Sequence, residues 1–175
     1  AAVKAFSAIG ERNFDNLDVL HGLALVRSGQ ESAGMALLVN IPAEGRNDEV
    51  NRILGQFFAD RNEFRKAVGY LASIKMPTPA DLEAHLKTRR ELGMDYYKRS
   101  DYSHAVEEFQ AARQILEAQL HKPAVDIYLY LGNSYFRLED PERAKKAYQD
   151  LSDTDLTAAQ REGCRDLFLN RGQIH

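Results

Sequence analysis

The chain has 175 residues, of which 44% are hydrophobic and 28% charged, and its formal net charge is −3. That balance is globular rather than disordered, and the mild acidity argues against a broad phosphate-binding surface. One cysteine excludes an intrachain disulfide, a Cys-rich zinc site and an iron–sulfur cluster, while no apolar run approaches the roughly 18 residues that cross a bilayer.

Strand signals are nearly absent, with no sustained alternation of apolar and polar residues and no Asn-Gly or Asp-Gly hairpin pair between apolar runs. Helical periodicity runs from end to end. Ala2 and Phe6 share one helix face and predict a lone helix over residues 1–13. His21-Gly22, Leu25, Gly34 and Leu38 predict an irregular helix pair over 15–42. Leu54, Phe57 and Phe58, followed by Ala67, Val68, Leu71 and Ile74, predict a clear pair over 47–76.

A longer pair follows over 79–121, its second face formed by Val106, Phe109, Ile115, Leu116 and Leu120. The extra residues at 114–122 are expected to lengthen its second helix by about one turn. Ile127, Leu131, Tyr135 and Leu138 recur at helical spacing and open a pair over 123–152. A further first helix is expected over 155–172. Pro42, Pro77, Pro79, Pro123 and Pro141 all fall between these segments, as expected of a residue that costs a helix interior about 3 kcal/mol and is tolerated in the first turn. Thr78-Pro79 and Asp140-Pro141 read as N-caps, Asp81 suits the first-turn dipole, and Thr157 with Gln160 can form a capping box.

The pairs repeat in phase. Leu54-Gly55, Leu92-Gly93 and Leu131-Gly132 are each followed by an aromatic residue three positions past the glycine (Phe58, Tyr96, Tyr135). An alanine follows at twelve (Ala67, Ala105, Ala144) and a bulky residue at sixteen (Leu71, Phe109, Tyr148). A helix-interior glycine costs about 0.8–1.0 kcal/mol relative to alanine, and close approach of the partner helix is the compensation expected here. With weaker anchors at 22 and 165, the repeat length ranges from 33 to 39 residues.

This pattern resembles the tetratricopeptide repeat, with three fair copies, one degenerate copy and a half-repeat at each end. The chain departs from it in having no tryptophan early in the first helices and in two over-long copies. The resemblance implies an all-α, right-handed superhelical solenoid of antiparallel helix pairs, built as a single array over 1–175. The chain begins Ala-Ala-Val-Lys-Ala-Phe and is read as a piece of a longer array. Cytoplasmic and bacterial periplasmic homes are both compatible with it.

The resemblance further implies that the first helices line a groove for a protein or peptide. Carried over copy by copy, the partner-binding residues are Arg52 and Gln56; Lys87, Arg90, Met94, Tyr97 and Lys98; and Asn133, Phe136 and Arg137. The same offsets in the degenerate copy give Asn16, Val19, Leu23, Val26 and Arg27. The lysine that accompanies asparagine in carboxylate-gripping members of the family is replaced here by Leu129.

No phosphate loop or metal-hydrolase pattern occurs. His85 and His104 read as packing or surface residues, Cys164 as a small hydrophobe, and Glu107-Glu108, Lys145-Lys146 and Arg89-Arg90 as solvated charge. The expected function is a non-catalytic interaction scaffold with no cofactor, no metal and no membrane insertion. By architectural analogy it would sit within a bacterial cell-envelope export or assembly machine, with neighbouring repeats of the parent chain as further contacts. An RNA-binding helical repeat is the alternative, disfavoured by the acidity.

Overall fold

A computed structural model describes residues 14–120 and 125–152. The expected helix over 1–13, the Thr157/Gln160 box, Cys164 and the unit over 155–172 lie outside the described residues. Every regular element among the described residues is helical. The helices are α1 (Phe14–Arg27), α2 (Glu31–Leu38), α3 (Asp48–Asp60), α4 (Phe64–Ala72), α5 (Pro79–Lys98), α6 (Tyr102–Gln114), α7 (Val125–Arg137) and α8 (Pro141–Ser152), with a single 3-10 turn at Ala43–Gly45. They pack as consecutive hairpins, α1 with α2, α3 with α4, α5 with α6 and α7 with α8, an arrangement consistent with tetratricopeptide-type repeats. The chain divides into two compact units, Ala1–Pro77 and Thr78–His175.

The first unit holds two hairpins around a shared core of Val19, Leu23, Met35, Leu38, Ile41, Val50, Leu54, Phe58 and Ala67. Asn47 caps α3 by accepting from the Val50 N–H at 2.9 Å. The Asp48 carboxylate accepts from the N–H groups of Lys75 and Met76 at 2.9 and 3.0 Å, tying the segment after α4 back to the start of α3. Those two bonds hold its pKa below the ordinary carboxylate value.

In the second unit α5 opens with a full capping box. The Thr78 hydroxyl accepts from the Asp81 N–H, and the Asp81 carboxylate accepts from the Thr78 N–H. Asp140 caps α8 by accepting from the Arg143 N–H at 3.0 Å. The lengthening expected after Gln114 is present as a π-helical turn, Ile115–Gln119.

The repeat residues do what their spacing requires. Ala67, Ala105 and Ala144 are fully buried, and Phe58, Tyr96 and Tyr135 are buried beside them. A Cβ built on Gly55 would lie 2.7 Å from the Leu71 side chain. On Gly93 it would lie 2.8 Å from Phe109, and on Gly132 it would lie 2.4 Å from Tyr148. Each glycine therefore meets the bulky residue sixteen positions on. The degenerate copy obeys the same rule, with Gly22 against Leu38 at 2.6 Å. Leu138, expected on the apolar face of α7, is instead 40% exposed, because α7 has already ended at Arg137 and the chain is turning.

The four tight turns share one geometry. A residue with positive φ stands in each: Gly29 (85°), Asn62 (58°), Ser100 (63°) and Glu139 (57°). In each, the next N–H bonds five residues back, Gln30 to Leu25, Glu63 to Phe58, Asp101 to Tyr96 and Asp140 to Tyr135, all at 2.9 Å. This is the Schellman closure of a helix C-terminus.

Three substitutions test this packing by chemical denaturation. Gly132→Ala should destabilise by about 1–3 kcal/mol, because the methyl group overlaps the buried Tyr148 ring. Gly69→Ala in α4, where nothing lies within 4 Å of the added carbon, should stabilise by about 1 kcal/mol. Glu139→Gly should also stabilise, by about 0.5–1 kcal/mol, by relieving a left-handed backbone on a side-chain-bearing residue.

Candidate interaction surface

The first helices carry the expected surface residues, and the structure divides them into three groups. Asn133 is a correction. It is only 6% exposed, and its side-chain oxygen accepts from the Tyr148 hydroxyl at 2.9 Å, so it fastens α7 to α8 instead of facing a partner. Tyr148 has to reach past Gly132 to fill the space between the helices, and Asn133 satisfies its buried hydroxyl. Val19 and Leu23, at the corresponding offsets in the first hairpin, are likewise core residues, 5% and 4% exposed.

A second group lies at the surface with its polar atoms engaged. Gln56 donates to Asp60 at 2.6 Å. Arg52 is half-buried, close enough to Asp48 to interact with its charge. Arg90 pairs with Asp126, linking α5 to α7, and Arg27 pairs with Glu49, linking α1 to α3. Arg137 donates through Nε to the Tyr102 hydroxyl at 3.0 Å. The Ser100 hydroxyl and that guanidinium together hold the Tyr102 phenol below its usual pKa.

Tyr97 stands edge-on to Tyr102 (centroids 5.3 Å apart) and to Tyr130 (6.0 Å), and Tyr130 stacks on Phe109 at 5.3 Å. Half-buried tyrosines from α5, α6 and α7 thus meet beside Arg137. Sequence reading placed Tyr97 and Arg137 here but missed Tyr130 and Tyr102. Tyr130 adjoins Leu131 on the flank of the apolar stripe, a position that periodicity alone does not assign.

The third group is open. Lys87 and Lys98 are exposed, Met94 is half-buried and Phe136 is 39% exposed. The two lysines stand outside every ion pair among the described residues.

The Arg89-Arg90 doublet, expected as solvated charge, splits. The Arg89 side chain is 19% exposed and pairs with Glu108 of α6 at 2.6 Å, while its Nε donates to His85 at 2.9 Å. One turn of helix separates His85 from Arg89, so one residue of the doublet turns inward and the other outward. Burial, and then the Arg89 charge, lower the pKa of His85 to about 4.

His104 is exposed and stacks on Tyr96 at 5.1 Å. Near the π-helical turn, Tyr128 donates to Glu117, and burial with that carboxylate pushes its pKa up to about 12. The open depression along α6, about 580 Å³ and lined by Glu107, Gln110, Arg113 and Glu117 among others, draws its walls from that one helix segment. Among the described residues no group of His, Cys, Asp and Glu could hold a metal ion. No described helix is long and apolar enough to cross a membrane.

No family model matches the chain, and no curated protein matches it. A solved structure of a MamA mutant is similar, with 18% identity over 85% of this chain and 78% of that one and a TM-score of 0.44.

The His85–Arg89–Glu108 chain has a measurable consequence. His85 binds its proton less readily folded than unfolded, so the unfolded state takes up the proton first as pH falls. The stability associated with neutral His85 is complete above about pH 6.5 and is lost on going down to about pH 4. Discounted for its partial exposure, the loss should be about 1–2 kcal/mol. Denaturant melts of the wild type and of His85→Gln across that range should show the variant with the shallower acid slope.

Proposed function

We propose that the chain is a non-catalytic protein-interaction scaffold that holds a partner against its first helices. The observation that supports this reading most is the tyrosine and guanidinium cluster of Tyr97, Tyr130, Tyr102 and Arg137, with the exposed Phe136 preceding Arg137 in the chain. Tyrosine and arginine dominate the energetics of protein interfaces, and here they are held rigidly by helices whose packing is completed elsewhere. The proposed contact residues are Arg52 and Gln56 in the first unit and Lys87, Arg90, Met94, Tyr97, Lys98, Phe136 and Arg137 in the second; Asn133 leaves the set. By analogy alone with other irregular repeat arrays, we propose a bacterial envelope export or assembly machine as its setting. The RNA-binding alternative gains no support, because the cations of this face are either paired, as Arg90 and Arg137 are, or widely spaced.

The aromatic cluster also decides which variants are informative. Tyr97→Ala removes two ring contacts and should lower both melting temperature and partner binding. Lys98→Ala and Arg90→Ala alter exposed charge and should leave the melting temperature nearly unchanged. With the chain as bait in a competition capture, the Arg90/Lys98 double variant should recover at least about five-fold less of the proteins held by wild type. Equal recovery by that variant, with recovery lost only when melting drops, would show that the first-helix face is not the docking surface.

A further inference from the structure

Helix α5 places three side chains of the proposed surface on one line. At about 100° per residue, Met94 and Lys98 fall within about 20° of Lys87 around the helix, two and three turns further on. Lys87 and Lys98 are exposed at the two ends of this line, and half-buried Met94 lies between them with Tyr97 at the edge. The other basic residues nearby have partners. Arg89 is tied to Glu108, Arg90 to Asp126, Arg99 to Asp95 and Arg137 to Tyr102. The two lysines are the cations of α5 left outside any ion pair among the described residues.

Their separation along the helix is about 16.5 Å at 1.5 Å per residue. In an extended chain only residues an even number apart share a face; a spacing of four covers about 13 Å, and the two flexible lysine stems take up the rest. Met94, unbranched and polarisable, suits an apolar side chain of varied shape between the two charges.

From this spacing we infer that the partner presents an extended segment with two side-chain carboxylates four residues apart and an apolar residue midway between them on the same face, laid along α5 from Lys87 to Lys98. The inference rests on the scaffold reading and narrows it to a ligand class. Glu83 and Glu91, one turn to either side of Lys87, set the competing field. The ligand must therefore place its charge at the lysine ends and not along the flank.

The test uses the full chain and fluorescein-labelled peptides read by fluorescence anisotropy. One peptide carries Glu-Ser-Leu-Ser-Glu, one the same residues with the two glutamates adjacent, and one has both glutamates replaced by glutamine. The spaced peptide should bind at least about three-fold more tightly than either control, and its affinity should fall as salt is raised. Lys87→Gln and Lys98→Gln should each weaken it about two- to five-fold, Glu91→Gln should strengthen it, and Lys145→Gln on α8 should leave it unchanged.

Equal binding of the spaced and adjacent peptides, or indifference to both lysine variants, overturns the inference. A panel of neutral apolar peptides separates the two levels of failure. If these bind the wild type and lose affinity in Tyr97→Ala while ignoring the lysines, the scaffold reading stands and the acidic ligand is wrong. If no peptide of either class binds, both are wrong.

Discussion

The contact on which the rest depends is a bare stretch of first-helix backbone meeting one large side chain of the second helix. Gly55 receives Leu71, Gly93 receives Phe109 and Gly132 receives Tyr148. With no Cβ in the way, the helices come close enough for Ala67, Ala105 and Ala144 to be sealed completely. The helical cost of each glycine is about 1 kcal/mol, smaller than the roughly 1.5–3 kcal/mol gained by burying a Leu- or Phe-sized group. The exchange favours the hairpin at every copy. Because the bulky residue differs, the three hairpins use the same vacancy with different shapes.

That economy sets what remains for the surface. The inner face of each first helix is committed to its partner, and even polar residues close to the glycine are drawn in. Asn133 serves Tyr148, and Arg89 serves Glu108 and His85. A part-buried arginine–carboxylate pair is costly to break and weak evidence of net stability. Here it fixes α5 against α6 and keeps a neutral imidazole beside a guanidinium. What faces outward is consequently sparse: a few lysines, a methionine, and tyrosines anchored from behind by Phe109 and Arg137.

The fold was legible because its signals are local and repeated. Glycine, alanine and aromatic residues at fixed offsets, prolines between segments and Thr78 or Asp140 as caps all report on backbone constraints that one residue type satisfies best. The surface was less legible because a carried-over position says which helix a residue is on, not which neighbour claims it. Asn133 looked available until Tyr148 was seen to need an acceptor. Arg89 and Arg90 are identical in type and adjacent in sequence, yet one is enclosed and the other exposed. Glu139 was hidden for another reason. Only Gly29, and to a lesser degree Asn62, announces the left-handed turn that Ser100 and Glu139 also adopt.

The longest hairpin keeps its surplus at its two ends: α5 starts fourteen residues ahead of Gly93, where α3 and α7 start seven ahead of their glycines. Five residues, Ile115–Gln119, widen into a π turn after α6 has made its contact with Gly93 and before α7 begins. Upstream, Phe109 still finds its glycine sixteen residues back, and downstream Tyr148 does the same. Residues can therefore be gained or lost at the leading end of a first helix and the trailing end of a second while the waist of every hairpin keeps its register. Such a chain can drift in length between copies and still stack, which is how unequal periods coexist with one uniform joint.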